Sequence, residues 1–305
     1  MLIIYLYIFL ISCSVKYSIA HFGYSKRQQH LWAQTFKMCA GKMQSPVAIS
    51  SKKSLILPLP ALEMIKFHNL MGGTLVLHNN GHSVSLNFEK QNSDEQLPYV
   101  FGAMLTENQN YVLQGLHFHW GNKNNRGSEH TLNGVSYPME MHMIFKNTAY
   151  PETAEALSNE DGLTVLATFF QLQEDDNESL SPIVESLPVV KWKNSRANLN
   201  VTFTLNSLLP KDTDTFYTYR GSLTTPPCSE AVTWIIFSMT VPISFKQMNK
   251  FRILSNGEDV LAENYRKLQK IGNRKVYLRK LTPKFTDNPE LNFNLNVSSL
   301  NWYWQ

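Results

Sequence analysis

Three histidines in one short window are the residues best suited to chemistry in this sequence. His117 and His119 are two apart, with the apolar Leu116 and Phe118 interleaved. A β-strand directs residues i and i+2 to one face, so both imidazoles would point the same way. His142 lies in a second strand-like run, and all three rings converge if the two runs pair. Three neutral imidazoles with an open fourth position are the ligand set of a catalytic zinc.

A His-x-His pair alone is weak evidence for a metal site, because an isolated histidine more often has a structural role. The neighbouring residues therefore bear on the prediction. Glu140 lies two residues before His142 on the same face, where it can fix the tautomer of a ligating ring. Gly115 holds the equivalent position before His117 and has no side chain to offer. The partner of His117 must therefore come from elsewhere or be water.

The sequence does not match the other common metal-binding and nucleophile motifs. A cupin metal site needs a carboxylate four or five residues beyond the second histidine, where this chain has Lys123 and Asn124. The chain has no His-Glu-x-x-His helix motif and no Gly-x-Ser-x-Gly nucleophile motif. Downstream, Thr224-Thr225-Pro226-Pro227 predicts a rigid, extended loop that could hold a hydroxyl in place. A surface proline turn is the alternative.

The elements that must position these groups are mostly strands. Alternating or apolar runs separated by Gly and Asn turn signals predict strands over 74–77, 83–88, 111–120, 137–145, 163–172, 231–241 and 275–278. Ser181-Pro182 predicts a short helix with an N-cap serine, and residues 244–254 predict another. The fold class is mainly β: a single domain with a large, mostly antiparallel twisted central sheet of about ten strands and short peripheral helices.

Composition supports a folded globular chain. Of the 305 residues, 43% are apolar and 17% are charged, which argues against disorder. The formal net charge of +4 is scattered. Its densest run, Arg274-Lys275 with Arg279-Lys280, alternates with apolar residues and is explained by a solvated strand face better than by a nucleic-acid surface. No nucleic-acid partner is expected.

The first twenty residues predict a secretory signal peptide. Residues 2–11 form an apolar run too short to span a bilayer, and small residues stand at Ser18 and Ala20 before a cut after Ala20. An anchored N-terminus is the alternative. The C-terminus lacks the apolar tail of a lipid-anchor signal, so no stable membrane anchor is expected. The interpretation is a secreted, extracellular protein.

Cysteines and glycosylation motifs agree with secretion. Cleavage removes Cys13 and leaves Cys39 and Cys228, which suggests one disulfide in an oxidising compartment. N-glycosylation motifs begin at Asn177, Asn200 and Asn296.

Two long motifs carry a family resemblance. The window from His117 to His142, with Gly127-Ser-Glu129-His130 inside it, and the run Gly221-Ser-Leu-Thr-Thr-Pro-Pro-Cys228 resemble the signatures of the α-class carbonic anhydrases. Shorter matches occur in order at Gln44-Ser45-Pro46, Asn79-Asn80-Gly81-His82, Asp161-Gly162-Leu163 with Val165, Asn264-Tyr-Arg266 and Asn273-Arg274. The resemblance covers about residues 22–280. It divides the chain into a signal peptide (1–20), a catalytic domain (21–283) and a C-terminal extension (284–305).

The resemblance implies reversible hydration of CO₂ to bicarbonate and a proton. His117, His119 and His142 would bind Zn²⁺, whose bound hydroxide attacks CO₂. Thr224 would accept a hydrogen bond from that hydroxide and donate its own to Glu129, since an ionised Glu only accepts. The supporting residues around the ligands would be Glu140, His130, Asn264, Tyr24 and Asn80.

The resemblance also implies a substrate pocket and a proton shuttle. The pocket residues would be Ile144, Val165, Leu223, Thr225 and Trp234, with Ile144 standing where Val is usual. His82 would carry the product proton to solvent, because an imidazole pKa near 6.5 suits both uptake and release. Tyr24 and Asn80 would order the water chain between. A plain loop residue is the alternative for His82.

Cys39 and Cys228 fall where secreted members of the family carry a disulfide, and cis peptides are implied before Pro46 and Pro227. Three departures stand out: Gly115 replaces a usual Gln, Arg220 replaces a common Pro, and the stretch after Pro283 extends past the usual core. The rival interpretation is a non-catalytic extracellular binding or matrix protein with the same fold. The expected partner is small-molecule CO₂ or bicarbonate.

Overall fold

The computed structural model describes residues 22–89 and 97–280. The predicted signal peptide, Cys13, Asn296 and the predicted extension from residue 284 lie outside the described residues. Within the described chain, no helix is long and apolar enough to cross a membrane.

A large mixed sheet dominates the fold, which confirms the predicted class. Its thirteen strands include a ten-stranded path, and nine of its twelve strand pairings are antiparallel. In chain order, the strands are β1 Ala48–Ile49, β2 Leu55–Leu57, β3 Leu62–Ile65, β4 Thr74–Asn79, β5 Val84–Glu89, β6 Tyr99–Gly102, β7 Tyr111–Trp120, β8 Thr131–Leu132, β9 Met139–Asn147, β10 Leu163–Gln173, β11 Arg196–Asn198, β12 Phe216–Gly221, β13 Val232–Phe237, β14 Val241–Ser244 and β15 Tyr277–Arg279. Strands β1 and β8 form a separate parallel pair. The path through the large sheet runs β11-β4-β5-β7-β9-β10-β13-β12-β15-β2.

The helices are short and peripheral. They are α1 Lys26–Thr35, α2 Thr153–Ala156, α3 Ser181–Val184 and α4 Phe245–Phe251, with 3₁₀ turns at Lys37–Ala40, Glu178–Leu180 and Leu205–Leu208. Helix α4 begins at the predicted place, with Ser244 as its N-cap. The prediction that Ser181 is an N-cap was wrong, because the preceding 3₁₀ turn runs directly into α3 and makes Leu180 the N-cap. Helix α1 was not predicted; its capping box joins Ser25 and Gln28, and it buries Trp32.

The predicted run over 231–241 is two strands, β13 and β14. Both pair parallel with β10, at successive parts of its length. The long strand β10 therefore pairs with two short strands, one after the other. The other predicted strands are confirmed with boundaries shifted by up to two residues.

Strands β7 and β9 are central neighbours, and their register positions the candidate site. His117 is directly opposite His142, and His119 is opposite Glu140. Directly opposed residues share a sheet face, so the pairing brings the three imidazoles together. The register continues from His142 to Ala167 on β10, Ile236 on β13 and Tyr217 on β12. Apolar clusters cover both faces of the sheet, which keeps this arrangement rigid.

Candidate metal centre

The three histidines converge as the strand pattern predicts. His117 Nε2 lies 3.0 Å from His119 Nε2, and one ring nitrogen from each of the three residues lies within 4.8 Å of the others. Tetrahedral zinc with Zn–N distances near 2.05 Å places its nitrogens about 3.3 Å apart. The spacing therefore fits a single zinc ion between the rings.

The outer nitrogens of two rings are already engaged. His119 Nδ1 lies 2.7 Å from the backbone oxygen of Asn264, and His142 Nε2 lies 2.7 Å from Glu140 Oε1. Both oxygens can only accept, so each of these nitrogens carries the proton. His119 Nε2 and His142 Nδ1 are left with lone pairs for the metal, as support beyond the ligands requires.

Glu140 is the centre of a buried network. Its Oε1 also lies 2.7 Å from His130 Nδ1, while its Oε2 accepts the backbone N–H groups of Glu129 and His130 at 2.8 and 2.9 Å. Burial alone would raise the pKa of Glu140, but His130 and His142 outweigh it and hold that pKa well below its usual range. His130 Nε2 in turn lies 2.7 Å from the hydroxyl of Tyr219. Glu140 is thus an ionised acceptor with all four lone-pair directions used.

The three ligand candidates are neutral imidazoles, as zinc binding needs. Burial is the main cause: it lowers the pKa of His117 well below the ordinary 6.5, lowers that of His119 to about 3, and lowers that of His142. The neighbouring rings add to the effect on His117 and His119. The donor set therefore fits zinc in chemistry as well as spacing.

Glu129 points one oxygen at this centre. Its Oε1 accepts the backbone N–H of Arg266 at 2.8 Å, whereas Oε2 lies 3.5 Å from His119 Nε2 and 4.0 Å from His142 Nδ1. Among the described residues, Oε2 has no hydrogen-bond partner of good geometry. Burial raises the pKa of Glu129 well above its usual value, and the nearby Thr224 hydroxyl and the Arg266 backbone partly oppose that rise. An orphaned buried carboxylate oxygen beside Thr224 is the acceptor that the predicted relay requires.

His117 is the least supported ligand candidate. Its ring is closely surrounded by protein but keeps some solvent exposure, and its Nδ1 makes no hydrogen bond to the described part of the chain. A β-bulge between Leu113 and Gly115 shifts the register here. The side-chain amide of Gln114, the residue in the bulge, donates to the backbone oxygens of Val112 and Leu113, at 3.0 and 3.2 Å. The missing side chain of Gly115 is therefore not replaced by its neighbour.

His82 lies at the end of a loop stacked against aromatic rings. Its imidazole lies parallel to the ring of Phe22 at 4.0 Å, and Tyr24 approaches it edge-on at 6.4 Å. Asn80 Oδ1 accepts the backbone N–H of His82 at 2.8 Å and so shapes the loop. The side-chain amide of Asn264 donates to the His82 backbone oxygen at 2.9 Å. Asn264 therefore links the His82 loop to His119.

Three of the predicted pocket residues lie on the same sheet face as the imidazoles. Ile144 on β9 is opposite Val165 on β10, which is opposite Trp234 on β13. These three belong to one buried apolar cluster, and Leu223 packs against it. The Trp234 ring lies 4.8 Å from the His142 ring. Thr225 is in the loop after β12, where its backbone oxygen accepts the N–H of Cys228 at 2.9 Å.

The loop that carries Thr224 is covalently anchored on its C-terminal side. A disulfide joins Cys39 to Cys228 with 4.9 Å between their Cα atoms, as expected. The peptide bonds before Pro46 and Pro227 are cis, as the resemblance implied. Thr224 itself is buried, which shields its hydroxyl from bulk water.

Two groups escaped prediction. Arg266 is buried and donates to Gln44 Oε1, the Ser45 oxygen and the Cys39 oxygen, so it anchors the N-terminal segment against the site. Arg266 belongs to one of the short motifs of the family resemblance, but no local sequence pattern indicates this role. Phe22 was missed because its contact with His82 spans sixty residues of sequence.

Comparisons with known proteins agree with this geometry. Residues 27–280 match the family model for eukaryotic-type carbonic anhydrase. The chain is 36% identical to mouse carbonic anhydrase 7 over 251 residues, which is 80% of this chain and 91% of the relative. The human carbonic anhydrase 7 gives the same identity and coverage. Mouse carbonic anhydrase 15 is 35% identical over 281 residues, which is 88% of this chain and 82% of the relative.

Proposed function

The chain belongs to the eukaryotic-type carbonic anhydrase family, and we propose that it is an active, zinc-dependent member that interconverts CO₂ with bicarbonate and a proton. The observation that carries the proposal is the set of three neutral imidazoles with Glu129 Oε2 orphaned beside them. A protein kept only for binding has no need of a buried acceptor aimed at the metal centre.

The metal would be held by His117 Nε2, His119 Nε2 and His142 Nδ1. When bound, zinc would lower the pKa of a coordinated water to about 7 and so supply a nucleophile at neutral pH. Thr224 Oγ1 would accept a hydrogen bond from the attacking oxygen and donate its own proton to Glu129 Oε2. With Glu129 ionised, this chain of bonds has one direction only, because a carboxylate can accept but not donate.

The pocket side chains would receive CO₂ next to this centre. CO₂ is apolar, and the wall of Ile144, Val165, Leu223 and Trp234 offers an apolar surface, with Thr225 as the fifth pocket residue. The product proton would leave through ordered water to His82, whose ring is stacked on Phe22. Tyr24 and Asn80 stand beside this path as water-ordering candidates.

We also propose that the protein is secreted, with residues 1–20 removed as a signal peptide. The support is the Cys39–Cys228 disulfide, because such bonds persist in oxidising compartments. The proposed domain therefore begins at residue 21 and ends near residue 283.

The deciding experiment measures CO₂ hydration by the purified mature protein with and without a zinc chelator. We expect activity to disappear on chelation and to return when zinc is added. His119→Gln should abolish both zinc retention and activity, whereas His68→Gln, at an exposed histidine, should change neither. No activity in the zinc-loaded protein would overturn the proposal and leave the non-catalytic binding protein as the interpretation.

A further inference from the structure

A large basic groove lies apart from the metal centre. Its volume is about 1160 Å³, above the roughly 300–1,000 Å³ of pockets that enclose small ligands. Its lining includes six cationic residues: Lys42, Arg220, Lys267, Lys270, Arg274 and Lys275. Glu160 is the single acidic residue among the described lining residues. None of the three candidate metal ligands lines it.

The fold brings together in the groove cationic side chains that are scattered along the sequence. Lys42 comes from the N-terminal segment, Arg220 from the end of β12, and the other four cations from the stretch before β15. The four lysines are exposed. Within residues 22–89 and 97–280, no ion pair neutralises them or Arg274. The groove therefore keeps a positive potential that a concave surface concentrates.

The wall that carries these charges is rigid. The Arg274 guanidinium donates to the backbone oxygens of Gln44, Arg220 and Ile271 at 2.8, 3.0 and 3.0 Å. It thereby ties three segments together. Its hydrogen bonds go to backbone carbonyl groups, and no carboxylate of the described residues forms an ion pair with it. Because this backbone is already ordered, little conformational entropy of the protein backbone would be lost when a ligand binds.

Most of the groove lies apart from the candidate metal centre, although Tyr219, which also lines it, has its hydroxyl 2.7 Å from His130 Nε2. Thr218 and Thr233, which line it, alternate along β12 and β13 with Tyr217 and Trp234. Tyr217 and Trp234 share the sheet face of the imidazoles, so the threonines lie on the opposite face. Charge changes in the groove can therefore be made without touching the metal centre.

We propose that this groove binds an extended sulfated polysaccharide and holds the protein on an extracellular matrix. The volume of the groove and the six cationic residues that line it fit a polyanion better than a single small anion. Cys39 of the disulfide forms part of the wall. The choice of occupant rests on the secretion proposed above, because acidic polysaccharides, and not nucleic acids, are the common polyanions of an oxidising extracellular compartment. The concave shape of the groove fits a chain better than a flat membrane.

The test uses the mature, zinc-loaded protein and heparin as the probe. Binding is measured by calorimetry and by salt elution from a heparin column. We expect binding at 0.15 M salt, with the triple variant Lys42→Glu, Lys267→Glu and Lys270→Glu at least about tenfold weaker and its salt dependence shallower by about two to three charges. CO₂ hydration and thermal stability should stay unchanged in this variant.

The matched control reverses three exposed lysines elsewhere, Lys123, Lys211 and Lys246, and should bind heparin within about twofold of the parent protein. Equal weakening in both triple variants would show attraction to net charge alone and overturn the groove. No binding of the parent protein at 0.15 M salt would also overturn the proposal. Stronger binding to single-stranded DNA or to phosphatidylserine vesicles than to heparin would overturn the proposed ligand. So would saturation of the groove by inorganic sulfate at the same total charge concentration as heparin.

Discussion

Gly115 and Ile144 lie directly opposite each other on β7 and β9, on the sheet face that carries the imidazoles. The first lacks the side chain that the family usually has there, and the second is larger than the usual Val. These two departures from the family pattern, 29 residues apart in sequence, are therefore direct neighbours beside His117.

Restoring an amide beside His117 should tighten metal binding. Glu140 already reaches His142 across the same two-residue spacing, at 2.7 Å. A Gln at position 115 can serve His117 likewise, and Gly115 has no positive φ that would forbid it. We expect Gly115→Gln with Ile144→Val to slow zinc release to a chelator by about tenfold.

The matched control for this pair is Gly115→Leu with Ile144→Val, which adds volume without an amide. Gly115→Gln alone should gain less, because the new side chain must pack against Ile144. If the Leu variant retains zinc as well as the Gln variant, the hydrogen bond is not the cause.

Removing the Thr224 hydroxyl should slow catalysis without loss of metal. Thr224→Ala should lower kcat/KM by at least about tenfold, because the attacking oxygen would lose its orienting acceptor and Glu129 its donor. Zinc content should stay near one per chain. Thr224→Ser keeps the hydroxyl and should recover most of the rate; wild-type rates in the Ala variant would refute the relay.

Replacing His82 should affect turnover and not substrate capture. His82→Ala should lower kcat in weak buffer, with kcat/KM nearly unchanged, because only the export of the proton is lost. Imidazole buffer should restore the rate by carrying that proton directly. His68→Ala, at an exposed histidine, is the control, and a normal kcat for His82→Ala in weak buffer would remove His82 from the pathway.

Two of the glycosylation motifs differ in accessibility. Asn177 Nδ2, the atom that would carry a glycan, donates to the Pro242 oxygen at 2.9 Å, and Oδ1 accepts from the Ser179 N–H at 3.0 Å. Asn200 is exposed. We expect a glycan on Asn200 and none on Asn177 in the secreted protein. Peptide mass mapping before and after deglycosylation tests this, and an occupied Asn177 would contradict it.

The metal-free protein should lose stability as the pH falls. Burial lowers the pKa of His119 to about 3 in the folded chain, while an unfolded histidine binds its proton near 6.5. Between these values the unfolded state holds more protons, so stability rises with pH and declines below about pH 7. The urea midpoint of chelator-treated protein should therefore drop between pH 7.5 and 5.5.

His119→Gln should flatten that pH dependence, whereas His68→Gln should leave it as it is in the parent protein. An equal slope in all three proteins would assign the effect to other groups.

Much of the site could be predicted from local pattern. The period-two alternation of His117 and His119, and of Glu140 and His142, is a property of any strand, so shared faces follow without a fold. The Thr-Thr-Pro-Pro run constrains its own backbone, and the family motifs identified the cysteine pair. About half of the fifteen strands were predicted for the same reason, whereas short strands such as β1, β2 and β8 and the longer β12 were not. Helix α1 was also missed, and Trp32 is its one buried residue.

Sequence alone determined which side chains share a strand face, because that depends on neighbouring residues. Only the tertiary structure decided which faces meet. The pairing of Gly115 with Ile144 follows from strand register and a bulge. The bond from Asn264 to His119 joins residues 145 apart, and the arginine braces of the basic groove join segments up to 230 apart. Such contacts arise from the packing of the whole sheet, which no local periodicity encodes.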